Sequence, residues 1–334
     1  MMIKIFRITV VCLVMACLSI AVYAQDNPSA VGMAPILPDN QNKDVSYFDL
    51  LMEPGQEQTV YITLMNSSND DMNILLQLTY ATSSIYDTIQ YTEMDESKKD
   101  ITLKHPLTSI ASFEKDVYTI GPNSSVKVPI HLKMPDEPLN GVILGGITAK
   151  KVSEANVGYE NEISISNEYV YIVGMVLREN NEELIPDLIF SPHSTVSFTD
   201  KNIAITANLH NPQPIIMKYM NMTMDFHKKG SDKILHTVTK ESVMAPNSNM
   251  DYVYNWEDPQ VRTGDYTMDV SIAFEDQVWK HSYDFTIDSD HAVFFHTPFI
   301  EPTPMNIVLL IICVNLLLIV IIMIILFIRR RKRM

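Results

Sequence analysis

The stretch Val126–Lys133 reads VKVPIHLK, with an apolar side chain at every second position and a polar residue or proline between them. A repeat of two places alternate side chains on opposite faces of an extended chain, which is typical of a β-strand with one face on a core and one in water. Pro129 fits an edge strand, because proline has no backbone N–H for the ladder. The stretch therefore predicts a sheet with one solvated face.

The same alternation recurs along most of the chain between its two apolar ends. Turn-forming residues separate the alternating segments, as at Pro54–Gly55, Asn66–Asp71, Gly121–Ser125, Pro246–Asn249 and Thr263–Asp265. No amphipathic helix of about 12 residues stands out between them. Many short strands with recurring turns favour an all-β fold of antiparallel sandwiches over an α/β enzyme. The other alternating segments are Val60–Leu64, Ile203–Leu209, Tyr266–Phe274 and Tyr283–Ile287.

The central part of the chain predicts two tandem immunoglobulin-like antiparallel β-sandwich domains. Two polar stretches, Val152–Glu162 and Arg178–Glu183, flank an apolar strand, and the domain boundary lies in one of the two. We expect the first sandwich to comprise residues 25–165 and the second to comprise residues 166–289. The alternative is that Tyr169–Leu177 pairs back with Val142–Ala149 as a hairpin and belongs to the first domain.

The N-terminus has the pattern of a cleaved secretory signal peptide. Lys4 and Arg7 precede an apolar run, and a small-residue pattern ends at Ala24. We expect residues 1–24 to be removed by cleavage after Ala24, and an uncleaved anchor is the alternative. A lipidated Cys17 is disfavoured, because the apolar run continues past it to Val22.

The C-terminus predicts one transmembrane helix at residues 305–328. Its apolar run Ile307–Ile328 is interrupted only by the amide of Asn315. At 1.5 Å per residue the run is roughly 33 Å long, enough to cross a hydrocarbon core of ~30 Å. The basic tail, residues 329–334, follows at once and favours the cytoplasmic side. Residues 290–304 contain three prolines and predict an extended stalk. The expected topology is therefore single-pass type I, with an extracellular ectodomain facing the cell wall.

Between these ends lies a strongly acidic ectodomain without cysteine. All 40 acidic residues belong to it, whereas seven of the 25 basic residues belong to the signal peptide and the tail, which leaves a formal charge of −22. Nucleic-acid binding is excluded, because no basic face is available to replace phosphate counterions. Anionic wall polymers are repelled, so contact with a cell wall relies on hydrogen bonds, aromatic stacking, bridging cations or a basic partner.

The distribution of the cysteines bears on the cellular location of the ectodomain. Cys12, Cys17 and Cys313 all belong to the predicted signal peptide or span. Secreted animal domains of this size commonly carry disulfides, and their absence fits a bacterial surface, where a large enough core makes them unnecessary.

No catalytic signature is present in the ectodomain. It has no cysteine nucleophile, G-x-S-x-G elbow, H-E-x-x-H motif or P-loop, and its nine histidines are dispersed. Asp39–Asn42 and Asn69–Asp71 carry oxygen ligands suited to calcium, but Asn and Asp also favour turns, and we expect turns there and no metal or cofactor. A pair of carboxylates for glycoside cleavage is an open alternative, although nothing in the sequence singles out such a pair.

A set of short motifs is spread in order along nearly the whole chain. The set comprises Ala34–Gln41, Tyr47–Leu50, Pro54–Gln56, Asn66, Ala81–Thr82, Ile89–Tyr91, Met134–Pro135, Asn140–Gly146, Ser166–Tyr171, Leu209–Pro214, Met244–Asn249, Gly264–Tyr266, Trp279 and Phe285. The ordered set resembles the WxL-interacting proteins of Gram-positive bacteria. The chain departs from the family pattern at Ser83–Ser84, where Thr-Asn is usual, and at Leu139, where Phe is common.

The resemblance implies a surface-anchored scaffold. The first domain of the family is described as binding peptidoglycan and the second as binding a host. Family members cooperate with WxL-domain proteins, which themselves attach to the wall.

The preferred glycan-facing candidates combine planar polar groups with aromatic faces, which suit sugar recognition. They are Asp39, Asn40, Gln41, Tyr47 and Phe48. The alternative is that this segment is an ordered lead-in to the first domain.

Three further candidates depend on backbone shape. Gly145 and Gly146, in an apolar strand, mark either a packing bulge or a bare backbone strip that a glycan or another chain approaches. Asn211, at the start of Asn211–Pro214, either shapes a rigid loop or contacts a partner.

These observations predict a non-catalytic scaffold and adhesion protein of the cell surface. Its expected partners are peptidoglycan, WxL-domain surface proteins and host ligands such as extracellular-matrix proteins. A wall-modifying hydrolase is one alternative, and a chaperone-like donor of a strand to secreted surface proteins is another. Without an L-P-x-T-G sorting signal, retention depends on the span, so deletion of residues 305–334 should release the protein into the medium.

Overall fold

The structure is a computed structural model that describes residues 30–93, 95–97, 99–152, 169–198, 203–256 and 263–288. In these ranges the chain forms β-strands and one helix of four residues, so the predicted all-β class is confirmed. The predicted signal peptide, stalk, transmembrane helix and basic tail lie outside the described residues. Within the described ranges, no helix combines the length and the apolar character needed to cross a membrane.

Among its described residues, the first half of the chain contains ten strands and the helix α1. Its elements are β1 Val31–Ile36, β2 Phe48–Leu51, β3 Glu57–Asn66, β4 Met72–Ser83, β5 Ile89–Thr92, α1 Leu107–Ile110, β6 Ala111–Phe113, β7 Val117–Ile120, β8 Ser124–Lys133, β9 Ile143–Lys151 and β10 Val170–Arg178.

These strands form two sheets around one hydrophobic core. The smaller sheet has the order β1-β3-β8-β6, and the larger has the order β2-β10-β9-β4-β5, with β7 also pairing with β4. All neighbours are antiparallel except β2 and β10, which are parallel. Ile62 and Ile130 from the smaller sheet and Ile74 and Ile147 from the larger are fully buried in the same core.

The strand β10 lies inside the larger sheet of the first half. It pairs antiparallel with β9, with Gly174 opposite Gly146, and parallel with β2 on its other side. This is the hairpin pairing that the sequence allows between Tyr169–Leu177 and Val142–Ala149. A division at residue 165 therefore separates this strand from its sheet, because local alternation does not reveal which half supplies the neighbours of a strand.

The stretch Val126–Lys133 forms most of β8 with the predicted alternation. Val128, Ile130 and Leu132 are buried, and the polar side chains between them face water. The expectation of an edge strand is wrong, because β8 lies between β3 and β6. The strand β6 pairs only with residues 130–132, however, so Pro129 lies just outside that ladder and its missing N–H costs no pairing with β6.

The described part of the second half contains seven strands in two further sheets. The strands are β11 Ile189–Phe198, β12 Ile203–Asn211, β13 Met217–Lys228, β14 Ile234–Met244, β15 Ser248–Trp256, β16 Gly264–Phe274 and β17 Gln277–Ile287. The sheet orders are β11-β12-β15 and β14-β13-β16-β17, with antiparallel pairing throughout. Side chains from both sheets, including Ile205 and Trp256 from one and Phe226 and Ile272 from the other, form one core.

The two halves are joined by a third apolar cluster, which we call the joint. Ala81, Leu144 and Val176 from the first half and Ala245 from the second are buried together, and Ile216 packs against them. The joint lies beside the solvated face of the larger sheet of the first half, and this position builds the site described next.

Candidate functional site

The side-chain amides of Asn40 and Gln41 are occupied by hydrogen bonds inside the first half. Asn40 exchanges two hydrogen bonds with Gln58, at 2.9 and 2.8 Å. Gln41 accepts a hydrogen bond from the N–H of Asp49 and donates to two carbonyl groups of its own loop. These amides therefore fix the loop before β2, as expected of an ordered lead-in, and Asp39 is an exposed residue of that loop.

The two aromatic candidates differ in how far a ligand can reach them. Phe48 is fully buried in the core of the first half, so its ring cannot stack on a sugar. Tyr47 is half-buried and lines two adjacent cavities between the halves. Tyr47 is therefore the aromatic side chain of this segment that is placed to contact a ligand.

Gly145 and Gly146 are covered from opposite faces of the sheet by side chains of the protein itself. A Cβ atom on Gly145 would lie 2.5 Å from the Cβ of Leu107 in α1, and a Cβ atom on Gly146 would lie 2.8 Å from the ring of Tyr91. Gly146 pairs with Gly174, whose added Cβ would lie 3.2 Å from the Tyr91 hydroxyl. The glycine pair across β9 and β10 thus forms a flat bed for the Tyr91 ring, which is a packing role.

Asn211 is fully buried and shapes the loop that precedes β13. Its amide donates hydrogen bonds to the carbonyl groups of Ile215 and Ala245, both at 2.9 Å. The same loop reaches the first half, because the carbonyl of Pro214 accepts a hydrogen bond from the N–H of Val142 at 2.9 Å. Asn211 therefore supports a contact between the halves.

A carboxylate from the first half enters the second half at the joint. Asp87, in the turn between β4 and β5, accepts hydrogen bonds from the Lys240 ammonium at 2.7 and 2.6 Å and from the Ser242 hydroxyl at 2.7 Å. The same ammonium lies 4.0 Å from the centroid of the Tyr252 ring. Burial, followed by the charge of Asp87, raises the pKa of Tyr252, so this phenol stays neutral.

A second carboxylate bridges the halves at another point. Asp100 of the first half is buried and accepts hydrogen bonds from the amide of Asn249 and from Thr102 within its own loop. His210 of the second half lies with its Nε2 atom 3.2 Å from Asp100 Oδ1. A nearby hydroxyl, that of Ser83, accepts the N–H of Ala245 at 2.9 Å. These polar contacts, together with the apolar cluster, fasten the two halves at several points.

A groove opens beside the joint, and most of the residues that line its first part, called here the apolar part, are aliphatic or aromatic. This part, about 260 Å³, is lined by Tyr47, Tyr91 and Ile172 of the first half and by Ile216 and Lys218 of the second half. Burial, with a smaller effect of the neighbouring Tyr47, raises the pKa of Tyr91, so its hydroxyl stays protonated and can donate a hydrogen bond.

The second part of the groove carries charges of both signs. It measures about 300 Å³, and its charged lining consists of Lys43, Lys218, Glu182, Glu183, Glu275 and the ion pair of Asp49 with Arg178. The ion pair is bidentate, with N–O distances of 2.9 and 3.2 Å, and its carboxylate is buried. Tyr47, Val176, Ile216 and Lys218 line both parts, so the two parts form one continuous groove.

The segments that carry potential calcium ligands form turns and loop contacts. Asn42 exchanges two amide hydrogen bonds with Asn181, and Asn69 accepts one from Asn123. Within the described ranges, no group of three or more histidine, cysteine, aspartate or glutamate side chains is placed to hold a metal ion.

The geometry can be compared with known families. A family model described as the peptidoglycan binding domain of the WxL Interacting Protein matches residues 32–151, and one described as its host binding domain matches residues 160–294. The chain belongs to the WxL-interacting protein family. The resemblance carried by the short motifs is thereby confirmed, and both matched domains are described as binding domains.

Solved structures resemble this WxL-interacting protein only distantly. The YadV chaperone is 8% identical with a TM-score of 0.32, over 77% of this chain and 100% of its own. The Pseudomonas aeruginosa CupB2 chaperone is 12% identical with a TM-score of 0.29, over 71% of this chain and 97% of its own. The E. coli chaperone DraB is 12% identical with a TM-score of 0.28, over 72% and 94%. These likenesses carry no argument about function. No curated protein sequence matches the chain.

Most of the residues that line the groove or form the joint of this WxL-interacting protein were not among the candidates chosen from the sequence. Tyr91 closes the motif Ile89–Tyr91, so an aromatic residue within a family motif was the available signal. Lys218 and Asp87 have no local signal, because their positions depend on contacts between halves that are far apart in sequence.

Proposed function

We propose that this WxL-interacting protein is a non-catalytic scaffold of the bacterial cell surface. Its first half binds peptidoglycan, its second half binds host ligands such as extracellular-matrix proteins, and the scaffold also engages WxL-domain surface proteins. The observation that carries the proposal is the ordered match of a peptidoglycan-binding model to the first half and of a host-binding model to the second.

The joint supports a scaffold role for the two halves, which we interpret as tandem immunoglobulin-like sandwiches. The bridges from Asp87 and Asp100 and the shared apolar cluster hold both halves in one orientation. Fastened halves present their binding surfaces in a fixed relation, so a ligand in the wall and a partner farther out can be held without ordering a flexible linker at each binding event.

The membrane anchor is part of the same proposal. A signal peptide at residues 1–24, a stalk at residues 290–304, a span at residues 305–328 and a basic tail at residues 329–334 would leave both sandwiches outside the cell. Deletion of residues 305–334 tests the anchor, because the truncated protein should appear in the culture medium and in the wall fraction but no longer in washed membranes. Undiminished membrane retention of the truncated protein would contradict it.

Co-sedimentation with purified sacculi tests peptidoglycan binding. The full-length protein, kept soluble in detergent, should be retained by sacculi without releasing soluble sugars or reducing turbidity. The sacculi should be compared before and after removal of their anionic polymers. Because the ectodomain has a formal charge of −22, stripped sacculi should retain at least as much protein. Lack of retention by both preparations would reject the proposal, and release of sugars would support a hydrolase instead.

A further inference from the structure

The groove beside the joint has two chemically different parts, and their order restricts the ligand. At one end the Tyr91 ring lies on the Gly146–Gly174 bed, with Tyr47 and the half-exposed Ile172 beside it. Aromatic and aliphatic surface with a phenolic hydroxyl at its margin suits the C–H faces and acetyl methyl groups of an amino sugar.

Lys218 lies where the two parts of the groove meet. Its side chain is exposed, and it has no ion-pair partner among the described residues. The neighbouring Tyr219 has a φ of 62° and is 71% exposed, within the irregularity of β13 between Met217 and Met220. A bulge with a strained non-glycine residue re-aims the side chains around it, and such features cluster next to binding sites.

The far part of the groove presents both cations and carboxylates. The cavity of about 300 Å³ is lined by the cations of Lys43 and Lys218 and by the carboxylates of Glu182, Glu183 and Glu275, while Arg178 is paired with Asp49. A neutral polysaccharide would leave these charges unused, and a polyanion would meet the carboxylates with like charge. A short peptide that carries both carboxylates and an amine complements charges of both signs.

We propose that this groove binds a muropeptide, the unit in which an amino sugar carries a stem peptide. The amino sugar lies over Tyr91 and Tyr47, Lys218 pairs with a stem carboxylate, and the rest of the stem lies between Lys43 and Glu182. The inference rests on the proposed binding of peptidoglycan and adds its location. Because Ile216 and Lys218 belong to the second half, both halves form the site.

Two variants and two matched controls test the groove in the full-length protein. Lys218→Gln removes the cation, and Lys233→Gln removes an exposed lysine outside the groove. Ile172→Asp places a charge in the apolar part, and Ile234→Asp does the same at an isoleucine of similar exposure on β14. All four positions are exposed, so the variants should fold, and thermal unfolding checks this point.

Calorimetric titration should use three probes: a disaccharide tetrapeptide, a chitin tetrasaccharide without a stem, and the free tetrapeptide. Lys218→Gln should raise the Kd for the disaccharide tetrapeptide about tenfold, as expected for loss of a charge-assisted hydrogen bond. The Kd for the chitin fragment should stay unchanged. Ile172→Asp should weaken both sugar-containing probes. The two controls should match the wild-type protein with every probe.

The outcomes separate this inference from the proposed function. If the wild-type protein is retained by sacculi while both groove variants bind muropeptide as well as it does, the groove assignment is wrong and peptidoglycan binding stands. If the groove variants lose a WxL-domain protein but keep the muropeptide, the groove serves a protein partner and the inference is overturned. If the wild-type protein binds neither sacculi nor muropeptide, both ideas fail.

Discussion

The substitution Gly145→Ala tests whether the first of the adjacent glycines Gly145 and Gly146 serves packing or ligand approach. A Cβ atom at this position would lie 2.4 Å from the backbone oxygen of Thr79 and 2.5 Å from the Cβ of Leu107. The first contact is with the backbone of the neighbouring strand β4. The second is with a fully buried side chain of α1. Neither atom can move away unless β4 or α1 shifts, so the clash has to be relieved by the fold itself.

The expected loss of stability follows from two opposing effects. Overpacking of a core typically costs about 1–3 kcal/mol, and a clash with backbone belongs in the upper part of that range. Replacing glycine by alanine also raises the free energy of unfolding by about 0.4–1 kcal/mol, because it restricts the conformations of the unfolded chain. The free energy of unfolding should therefore fall by about 2 kcal/mol, which for a cooperative unit of about 150–250 residues lowers the Tm by roughly 4–8 °C.

Urea unfolding of the two alanine variants Gly145→Ala and Gly121→Ala provides the assay. At Gly121 the nearest atoms to an added Cβ are Ser124 Oγ at 3.5 Å and Asp71 Oδ1 at 3.7 Å, which are ordinary contacts. Because the control restricts the unfolded chain in the same way and meets no clash, it should raise the free energy of unfolding by about 0.4–1 kcal/mol. If Gly145→Ala is as stable as this control, the packing account is refuted. If Gly145→Ala is as stable as the control but sacculi no longer retain it, Gly145 faces a ligand.

Three further perturbations test the first sheet, the joint and an ion pair. A fragment of residues 25–165 lacks the inner strand β10 and should be unfolded by circular dichroism, whereas residues 25–184 should melt cooperatively; a folded shorter fragment would contradict the sheet order. Asp87→Asn should lower the free energy of unfolding by about 1.5–3 kcal/mol. Because Ser242 also donates to Asp87, a double-mutant cycle with Lys240→Met should recover part of this loss as coupling energy, and zero coupling would reject the bridge. A hydrogen bond to a carboxylate on β16 raises the pKa of His227, so His227→Gln should cost more stability at about pH 5.5 than at about pH 9; equal costs would reject the pairing.

The sign of the His227 prediction follows from proton linkage. The folded pKa lies above the unfolded value, so the stabilisation is complete below the unfolded pKa and is lost as the pH rises through the folded pKa. The partner is Asp269, whose burial opposes its charge, but hydrogen bonds from Ser282 and His227 prevail and lower its pKa. Asp269 therefore stays ionised at about pH 5.5, and the loss at high pH comes from the histidine.

The strands were predictable because a strand that is buried on one face has apolar and polar residues in alternation. Val60–Leu64, Val126–Lys133 and Ile203–Leu209 fall within β3, β8 and β12, as their alternation indicates. The local sequence of a strand does not show which other strands pair with it. The strand β10 has the composition of any buried strand, and only its pairing with β9 and β2 assigns it to the first half.

The sequence predicted the types of residue at the candidate site better than it predicted which of them line the groove. Sequence identifies amides and aromatic rings that suit a sugar, but it does not reveal which of them the protein already uses. The amide of Asn40 is paired with Gln58, and the ring of Phe48 is buried. Tyr47 is the member of this group that lines the groove, together with Tyr91, which the glycine bed holds in place.

Several of the motifs that carry the family resemblance meet at the joint. Gly141, with a φ of 87°, approaches Pro214 so closely that an added Cβ would lie 2.4 Å from the Pro214 carbonyl oxygen. That carbonyl accepts the N–H of Val142, so a side chain at residue 141 would separate the halves at this point. Lys218, four residues after Pro214, closes the groove from the second half. Gly141 and Pro214 both line the charged part of the groove, so Gly141→Ala should weaken muropeptide binding because the added Cβ displaces Pro214 from that lining. Unchanged affinity in a folded Gly141→Ala variant would mean that the first half binds its ligand alone.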